Sequence, residues 1–218
     1  MKSTQTKNEF PAVYRFLDHF SPIEGDCGKL CGCACCVCAS EELAETADLA
    51  VSEKHPDLSV AGEPSVPEDD PDYSMGLYLM PGEEVMFTFD EDWIRWGYLQ
   101  AEIYDFPESW HGPVPFFQCL TPPVCPREKR PLQCRTFPLA PHLDVDGNLY
   151  MIYNQDPLPY SCPLTSDRES YPLSPAFVKA TFTAWKHLIR NPLIWDMVDL
   201  DSQIREEDGH PIEIVWPR

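Results

Sequence analysis

The sequence predicts an α+β protein: small antiparallel strands and proline-rich loops tied together by a cysteine metal site, with helices at both ends. Three observations support this prediction. Apolar residues recur at helical spacing near both termini, short alternating runs bounded by turn residues fill the middle, and ten cysteines gather in loops. With 218 residues and 43% hydrophobic content, the chain is long enough for one core, and we expect a single domain over 1–218.

Charge and terminal composition exclude several classes of partner. The chain carries 36 acidic against 16 basic residues, a net charge of −20, which opposes binding to nucleic acid and to anionic membranes. Neither a signal peptide nor an apolar run of about 20 residues is visible. We therefore expect a cytoplasmic protein, in which thiols stay reduced and serve as metal ligands or catalytic groups rather than as disulfides.

The first predicted element is a helix from Asn8 to Phe20, which delivers the chain to a first cysteine loop at Ser21–Cys38. Glycines in that loop let the backbone turn tightly around a common centre. Adjacent Cys35 and Cys36 fit a disulfide framework poorly, because neighbouring sulfurs seldom both find partners in good geometry. Six thiols fall within twelve residues: Cys27, Cys31, Cys33, Cys35, Cys36 and Cys38.

An acidic stretch at about 39–75 differs in kind from the rest of the chain. It holds eleven carboxylates, a single lysine and four prolines. Such a composition buries too little apolar surface to offset the entropy of ordering. We expect a mobile, solvated insertion, and the alternative is an acidic segment that binds a protein partner.

The middle of the chain predicts short strands. Gly76–Met80 is the first, and Pro81–Phe87 is expected to turn into a brief helix. Trp93–Phe106 is aromatic-rich and partly alternating, and Val114–Leu120 is another extended run. The carboxylate run at residues 90–92 is expected to be a solvated turn.

A second cysteine loop follows at Cys119–Leu139 and contains Cys125 and Cys134. Five prolines in it lead us to expect neither a regular helix nor a central strand. Cationic side chains crowd this loop of an otherwise acidic chain. Arg127, Arg130 and Arg135, with Lys129, would stabilise an anionic thiolate centre, bind an anionic cofactor or substrate, or form surface ion pairs.

The C-terminal third carries clear local signals. Asp146-Gly147 between alternating runs predicts a β-hairpin. Ser174-Pro175 and Asn191-Pro192 each pair a capping residue with proline at the first helical position, which predicts two helices within about 174–208. A short strand at 211–216 is expected to close the chain.

The chemistry of the thiols favours metal binding. Thiolates ligate zinc in sets of four, and a [4Fe–4S] cluster takes up to four cysteines. The spacings alone do not distinguish these, and His142 is a further possible ligand. No nucleotide-binding, nucleophile-elbow or zinc-protease motif is present, so no catalytic residue is assigned. A catalytic thiol outside the metal shell would be Cys33 or Cys38.

Together these segments resemble the YkgJ-type cysteine-cluster family, which is named for a CxxCxxCC motif and described as zinc- or iron-chelating. The first loop is similar to that motif with longer gaps. Arg130-Pro-Leu-x-Cys134-Arg-x-Phe-Pro138 resembles its RPxxCRxFP signature, and Leu79-Met-Pro-Gly-Glu83 its LxPGE segment. The resemblance implies eight metal-ligating cysteines: Cys27, Cys31, Cys35, Cys36, Cys119, Cys125, Cys134 and Cys162.

The resemblance implies metal binding but no particular reaction. We expect a [4Fe–4S] cluster in preference to zinc, although eight ligands would also suit two zinc sites. Two alternatives stay open. One is a redox or group-transfer enzyme that uses the centre and the adjacent cations Arg127, Arg130 and Arg135. Flagellin lysine N-methylases are similar in their cysteine regions, but no nucleotide-binding pattern in this chain supports methyl transfer. The other is a metal-stabilised protein-interaction module.

Overall fold

The computed structural model describes residues 9–25, 27–31, 76–88, 90–120, 126–154, 161–209 and 212–217. In these ranges two small antiparallel sheets combine with helices, which confirms the expected α+β class. The helices are α1 (Glu9–Leu17), α2 (Gly28–Cys31), α3 (Leu132–Thr136), α4 (Pro163–Ser166), α5 (Pro175–Leu188) and α6 (Pro192–Glu207), with 3-10 turns at Glu83–Met86 and Arg127–Lys129. The strands are β1 (Gly76–Tyr78), β2 (Ile94–Gln100), β3 (Pro113–Cys119), β4 (Leu139–Leu143), β5 (Leu149–Tyr153) and β6 (Ile214–Trp216).

The first sheet has the order β1-β3-β2, with β3 in the centre. Tyr78 pairs with Phe116, and Ile94 pairs with Cys119 at the far end of β2. Although a proline cannot donate to a ladder, Pro115 still contributes its carbonyl, which accepts the Leu79 N–H at 2.8 Å just beyond β1. The strands expected around residues 76–80, 93–106 and 114–120 are confirmed, with β2 ending at Gln100.

The second sheet has the order β4-β5-β6 and contains the predicted hairpin. Gly147 has a φ of +77°, and its N–H donates to the Asp144 carbonyl at 2.8 Å. The Asp144 carboxylate accepts the backbone N–H groups of Asp146 and Asn148. This turn sets the register that places His142 opposite Tyr150.

Both C-terminal helices begin where the cap-and-proline pairs predicted. The Ser174 hydroxyl accepts the Phe177 N–H, and the Asn191 side-chain oxygen accepts the Leu193 N–H at 3.2 Å. Helix α5 packs against α1 and β5, and α6 packs against β4. The core between these elements includes fully buried side chains: Phe10, Tyr14, Met151, Phe177, Trp185, Leu188 and Ile194.

Two expectations about the middle region are wrong. The second cysteine loop contains a 3-10 turn and the helix α3. Pro131 immediately precedes the first residue of α3 and Pro138 lies two residues beyond its last, so neither proline interrupts the helix. In the expected solvated turn, Asp90 and Asp92 are exposed but Glu91 is buried. The acidic insertion lies outside the described residues. No helix in the part of the chain that the structure describes is long and apolar enough to span a bilayer.

Candidate metal centre

Four of the eight predicted cysteine ligands have described side chains, and they lie on four segments. Cys27 is half-buried just before α2, and Cys119 is half-buried at the end of β3. Cys134 is exposed on α3, and Cys162 is buried immediately before α4. Cys35, Cys36, Cys125 and the side chain of Cys31 lie outside the described residues.

The four described cysteines do not form a metal site by themselves. Within the described ranges, no three His, Cys, Asp or Glu side chains come together in a group that could hold a metal ion. A centre of four thiolates that includes any of the four described cysteines would therefore need further ligands from the remaining cysteines. The eight-cysteine set stays a prediction.

Helix α3 has one face in the core and presents Cys134 on the other. Leu132 is fully buried, and Thr136 is 1% exposed. The Thr136 hydroxyl donates to the Leu132 carbonyl at 3.0 Å, one turn earlier in the helix. Cys134 lies between these two anchored residues and is exposed. The chain therefore supports this thiol on a short, well-packed base.

The carboxylate of Glu83 lies beneath α3 and is completely buried. Its Oε1 accepts the Tyr14 hydroxyl and the Leu132 N–H, each at 2.6 Å. Its Oε2 accepts the Met80 N–H at 3.0 Å. Three segments far apart in the sequence, namely α1, the Pro-Gly-Glu turn and α3, therefore meet at one carboxylate. The Pro-Gly-Glu turn and the second cysteine loop, two of the segments that carry the family resemblance, are in direct contact here.

Burial dominates the electrostatics of this cluster. It raises the pKa of Glu83 above the ordinary carboxyl value, while the hydrogen bonds from Tyr14, Leu132 and Met80 and the nearby Arg135 guanidinium act in the opposite direction. Burial and the adjacent Glu83 raise the pKa of Tyr14 well above its ordinary value, with Cys134 adding to that rise. Tyr14 is therefore a neutral hydroxyl donor at physiological pH, and it lies within electrostatic reach of the Cys134 thiol.

Arg135 uses its guanidinium to join α1 to the second cysteine loop. The group lies over the Tyr14 ring at 4.0 Å from the centroid and pairs with Asp18 at 2.5 Å. Its other N–H groups donate to backbone carbonyls of the loop, those of Arg127, Glu128 and Arg130. The side chain is only 5% exposed. Of the three predicted cofactor-binding arginines, this one is thus engaged inside the protein.

The other cations of the loop lie nearer to solvent. Arg127 is exposed, and Arg130 is half-buried. Lys129 pairs with the buried Glu91, which also accepts the Trp93 indole N–H at 2.5 Å. Burial acts to raise the pKa of Glu91, but the hydrogen bonds from Lys129 and Trp93 outweigh it and hold that pKa below its ordinary value.

This ion pair links the second loop to the strand end that carries Cys119. The Trp93 carbonyl accepts the Leu120 N–H at 2.8 Å, next to the pairing of Ile94 with Cys119. Cys162 is held differently, since its carbonyl accepts four hydrogen bonds from Thr165 and Ser166 at the start of α4. Each described thiol therefore lies on a locally ordered backbone.

His142, the possible histidine ligand, faces α6. Its Nε2 lies 3.6 Å from the nearest carboxylate oxygen of Glu206, and Nδ1 has no hydrogen-bond partner among the described residues. Burial, with the nearby Arg205, lowers the pKa of this imidazole below the ordinary value. The charged groups near it, Arg205, Glu206 and Asp144, belong to α6 and the hairpin rather than to a cysteine segment.

Comparison of the chain with protein-family models, with curated proteins and with solved structures gave no match. The function of this chain is therefore inferred from its own residues.

Sequence reasoning missed the residues that build this region. Glu83 was expected only to favour the start of a brief helix, and Glu91 was expected in solvent. Tyr14 lies within the helix expected from Asn8 to Phe20, with no individual role assigned to it. Each of them has a hydrogen-bond partner 38 to 69 positions away in the sequence, and no periodic signal reports such distant contacts. The Pro-Gly-Glu motif was the one local clue to Glu83.

Proposed function

We propose that this chain is a cytoplasmic, cysteine-ligated metal-binding protein, similar to the YkgJ-type cysteine-cluster proteins. A [4Fe–4S] cluster is preferred and zinc is the alternative. Thiolates from the first and second cysteine loops, with Cys119 and Cys162, would hold the metal. Such a centre would either stabilise the fold by joining distant segments or transfer electrons through the metal.

One structural observation supports the proposal most strongly. Cys134 is an exposed thiol on a five-residue helix. The buried Glu83 binds the first N–H of that helix, and the buried Arg135 pairs with Asp18 of the segment after α1. Burying both charges carries a desolvation penalty that apolar packing would avoid. Outer groups that orient a ligand are a common feature of metal sites. The second cysteine loop therefore has the chemistry and the support that a thiolate ligand needs.

The decisive experiment is metal analysis of protein purified without oxygen. We expect bound iron and acid-labile sulfide, a broad absorption in the visible range, and an EPR signal on reduction. Stoichiometric zinc in a colourless sample would replace the cluster by zinc. No bound metal, with the cysteines oxidised in pairs, would overturn the proposal.

Substitution of single thiols identifies the ligands. We expect Cys134→Ser to reduce metal content and stability together, because the free energy of metal binding contributes to folding in such sites. Cys38→Ser is the matched control, since Cys38 is one of the two cysteines beyond the family pattern. Full metal content in Cys134→Ser would remove this residue from the proposed ligand set.

A further inference from the structure

A carboxylate that is fully buried in a protein core requires an explanation. The side chain of Glu83 is 0% exposed, and each of its three hydrogen-bond partners is a donor. An apolar side chain of similar volume would fill the same space without desolvating an acid. An acid at this position therefore does more than fill space, and its three hydrogen-bond donors indicate what it does.

The shortest backbone contact of Glu83 is made at the first residue of α3. The Leu132 N–H is one of the groups that a helix leaves without an internal partner, and Glu83 binds it at 2.6 Å. The α3 side chain Gln133 adds a bond to the Tyr78 carbonyl at 3.1 Å. Helix α3 is thereby fixed to β1 and to the Pro-Gly-Glu turn just before Cys134.

The tyrosine completes the arrangement from the opposite side. The Tyr14 hydroxyl binds the same Oε1 that accepts the Leu132 N–H, and its ring lies against the Arg135 guanidinium. Arg135 follows Cys134 directly, so the residues on both sides of the thiol are connected to one buried cluster. A displacement of the carboxylate would move the backbone that carries Cys134.

We propose that Glu83 is a positioning residue, which holds α3 through the Leu132 N–H and so fixes the backbone that carries Cys134, a predicted metal ligand. This inference rests on the proposed metal-binding function. Glu83 would not ligate the metal. It would act as the outer support of a ligand, with Tyr14 fixing the orientation of its carboxylate.

The test measures metal retention in Glu83→Gln. The amide keeps the volume but has one acceptor oxygen, so it cannot satisfy all three donors. We expect release of the native metal to excess EDTA to be about 10- to 100-fold faster than in the unchanged protein, as is typical for loss of an outer-shell partner. A second readout is the thiolate-to-metal absorption of the bound iron, or of Co²⁺ substituted for zinc, which should lose intensity as in Cys134→Ser.

Two controls separate positioning from general destabilisation. Glu84→Gln removes the neighbouring carboxylate, which among the described residues accepts the Gly82 N–H of its own turn, and it should leave metal release unchanged. Val198→Ala weakens the core in α6, and it should lower stability without changing the absorption of the bound metal. A folded Glu83→Gln protein with unchanged release rate and absorption would overturn the inference.

The outcomes also distinguish this inference from the proposed function. If the unchanged protein binds no metal, the proposed function fails. If the unchanged protein binds metal and Cys134→Ser loses it while Glu83→Gln does not, only the positioning role fails. If Glu83→Gln does not fold, the Tyr14→Phe variant tests the positioning role instead. This variant keeps the ring, removes one donor to Oε1 and should release the metal several-fold faster, whereas an unchanged rate would overturn the inference.

Discussion

The C-terminal part of the molecule, residues 139–217, and the region around Glu83 are stabilised in different ways. The first consists of a tight hairpin and two capped helices around a largely apolar core, and its buried polar side chains, such as Ser202 and Arg205, bond to backbone within this part. The second consists of short segments joined by hydrogen bonds and ion pairs between residues that are distant in the sequence, such as Asp18 and Arg135. The comparison indicates that one part provides stability through burial, while the other arranges specific groups around a cysteine-bearing helix.

Leu188→Ala should have the largest effect, and it tests the apolar side of this comparison. Leu188 is fully buried in α5, so truncation leaves a cavity and should lower the free energy of unfolding by about 3 kcal/mol. Denaturant unfolding measures the loss, and metal content per folded molecule should not change. Glu207→Ala, on an exposed site of α6, is the control. A loss below about 1 kcal/mol would mean that the core relaxes around the cavity.

Arg135→Met should have the next largest effect. The substitution keeps much of the side-chain volume but leaves several backbone carbonyls of the second cysteine loop, and Asp18, without their donor. We expect about 2–3 kcal/mol lower stability in denaturant unfolding. Arg127→Met is matched in chemistry and exposed, and it should change stability by less than about 0.5 kcal/mol. Equal effects in both variants would contradict the structural role of Arg135.

Tyr14→Phe removes a single hydroxyl from the Glu83 cluster. Because the lost bond is buried and its acceptor is a carboxyl group, we expect stability to fall by about 1–2 kcal/mol. The measurement is again unfolding by denaturant at neutral pH. Tyr98→Phe, at a half-buried tyrosine of β2, is the matched control. If Tyr14→Phe were as stable as the unchanged protein, the hydroxyl would not support Glu83.

The smallest expected effect is a pH dependence of stability that arises from His142 in the C-terminal part. Its pKa is lowered in the folded state by burial and by Arg205, although Glu206 and Asp144 act in the opposite direction. The unfolded chain therefore takes up this proton at a higher pH than the folded one. Stability contributed by His142 is present above the ordinary histidine pKa and is lost as pH falls through the lowered value.

The measurement is the free energy of unfolding between about pH 7.5 and pH 5, around the ordinary histidine value. His142→Gln should show a smaller decrease on acidification than the unchanged protein. His111→Gln, at an exposed histidine, is made in parallel. An identical decrease in His142→Gln and the unchanged protein would assign the acid sensitivity to other groups.

Sequence reasoning succeeded where structure depends on neighbours along the chain. The caps at Ser174 and Asn191, the turn at Gly147 and the apolar face of α1 are all local, and each element was found in place. The interpretation of the second cysteine loop failed in part, because the prolines were counted without regard to position. Pro131 and Pro138 flank α3 and leave room for one turn of helix between them.

The candidate site likewise has features that the sequence predicts and features that it does not. Composition and spacing identified the cysteine loops and their cationic neighbours, and thus a hypothesis of metal binding. They did not reveal that Arg135 is turned inward or that Glu83 and Glu91 are buried, since a charged residue is most often on the surface. Each of these depends on a partner brought near by folding.

The sequence by itself determined the hairpin and the two capped C-terminal helices, and it supplies the chemical class of the expected ligands, because turn residues, caps and thiol spacing are properties of short stretches. Only the tertiary structure decided that α1, the Pro-Gly-Glu turn and α3 meet at Glu83. Packing brings these segments together, and the buried carboxylate is retained there because three donors surround it. The support beneath Cys134 is therefore a property of the fold rather than of any single motif.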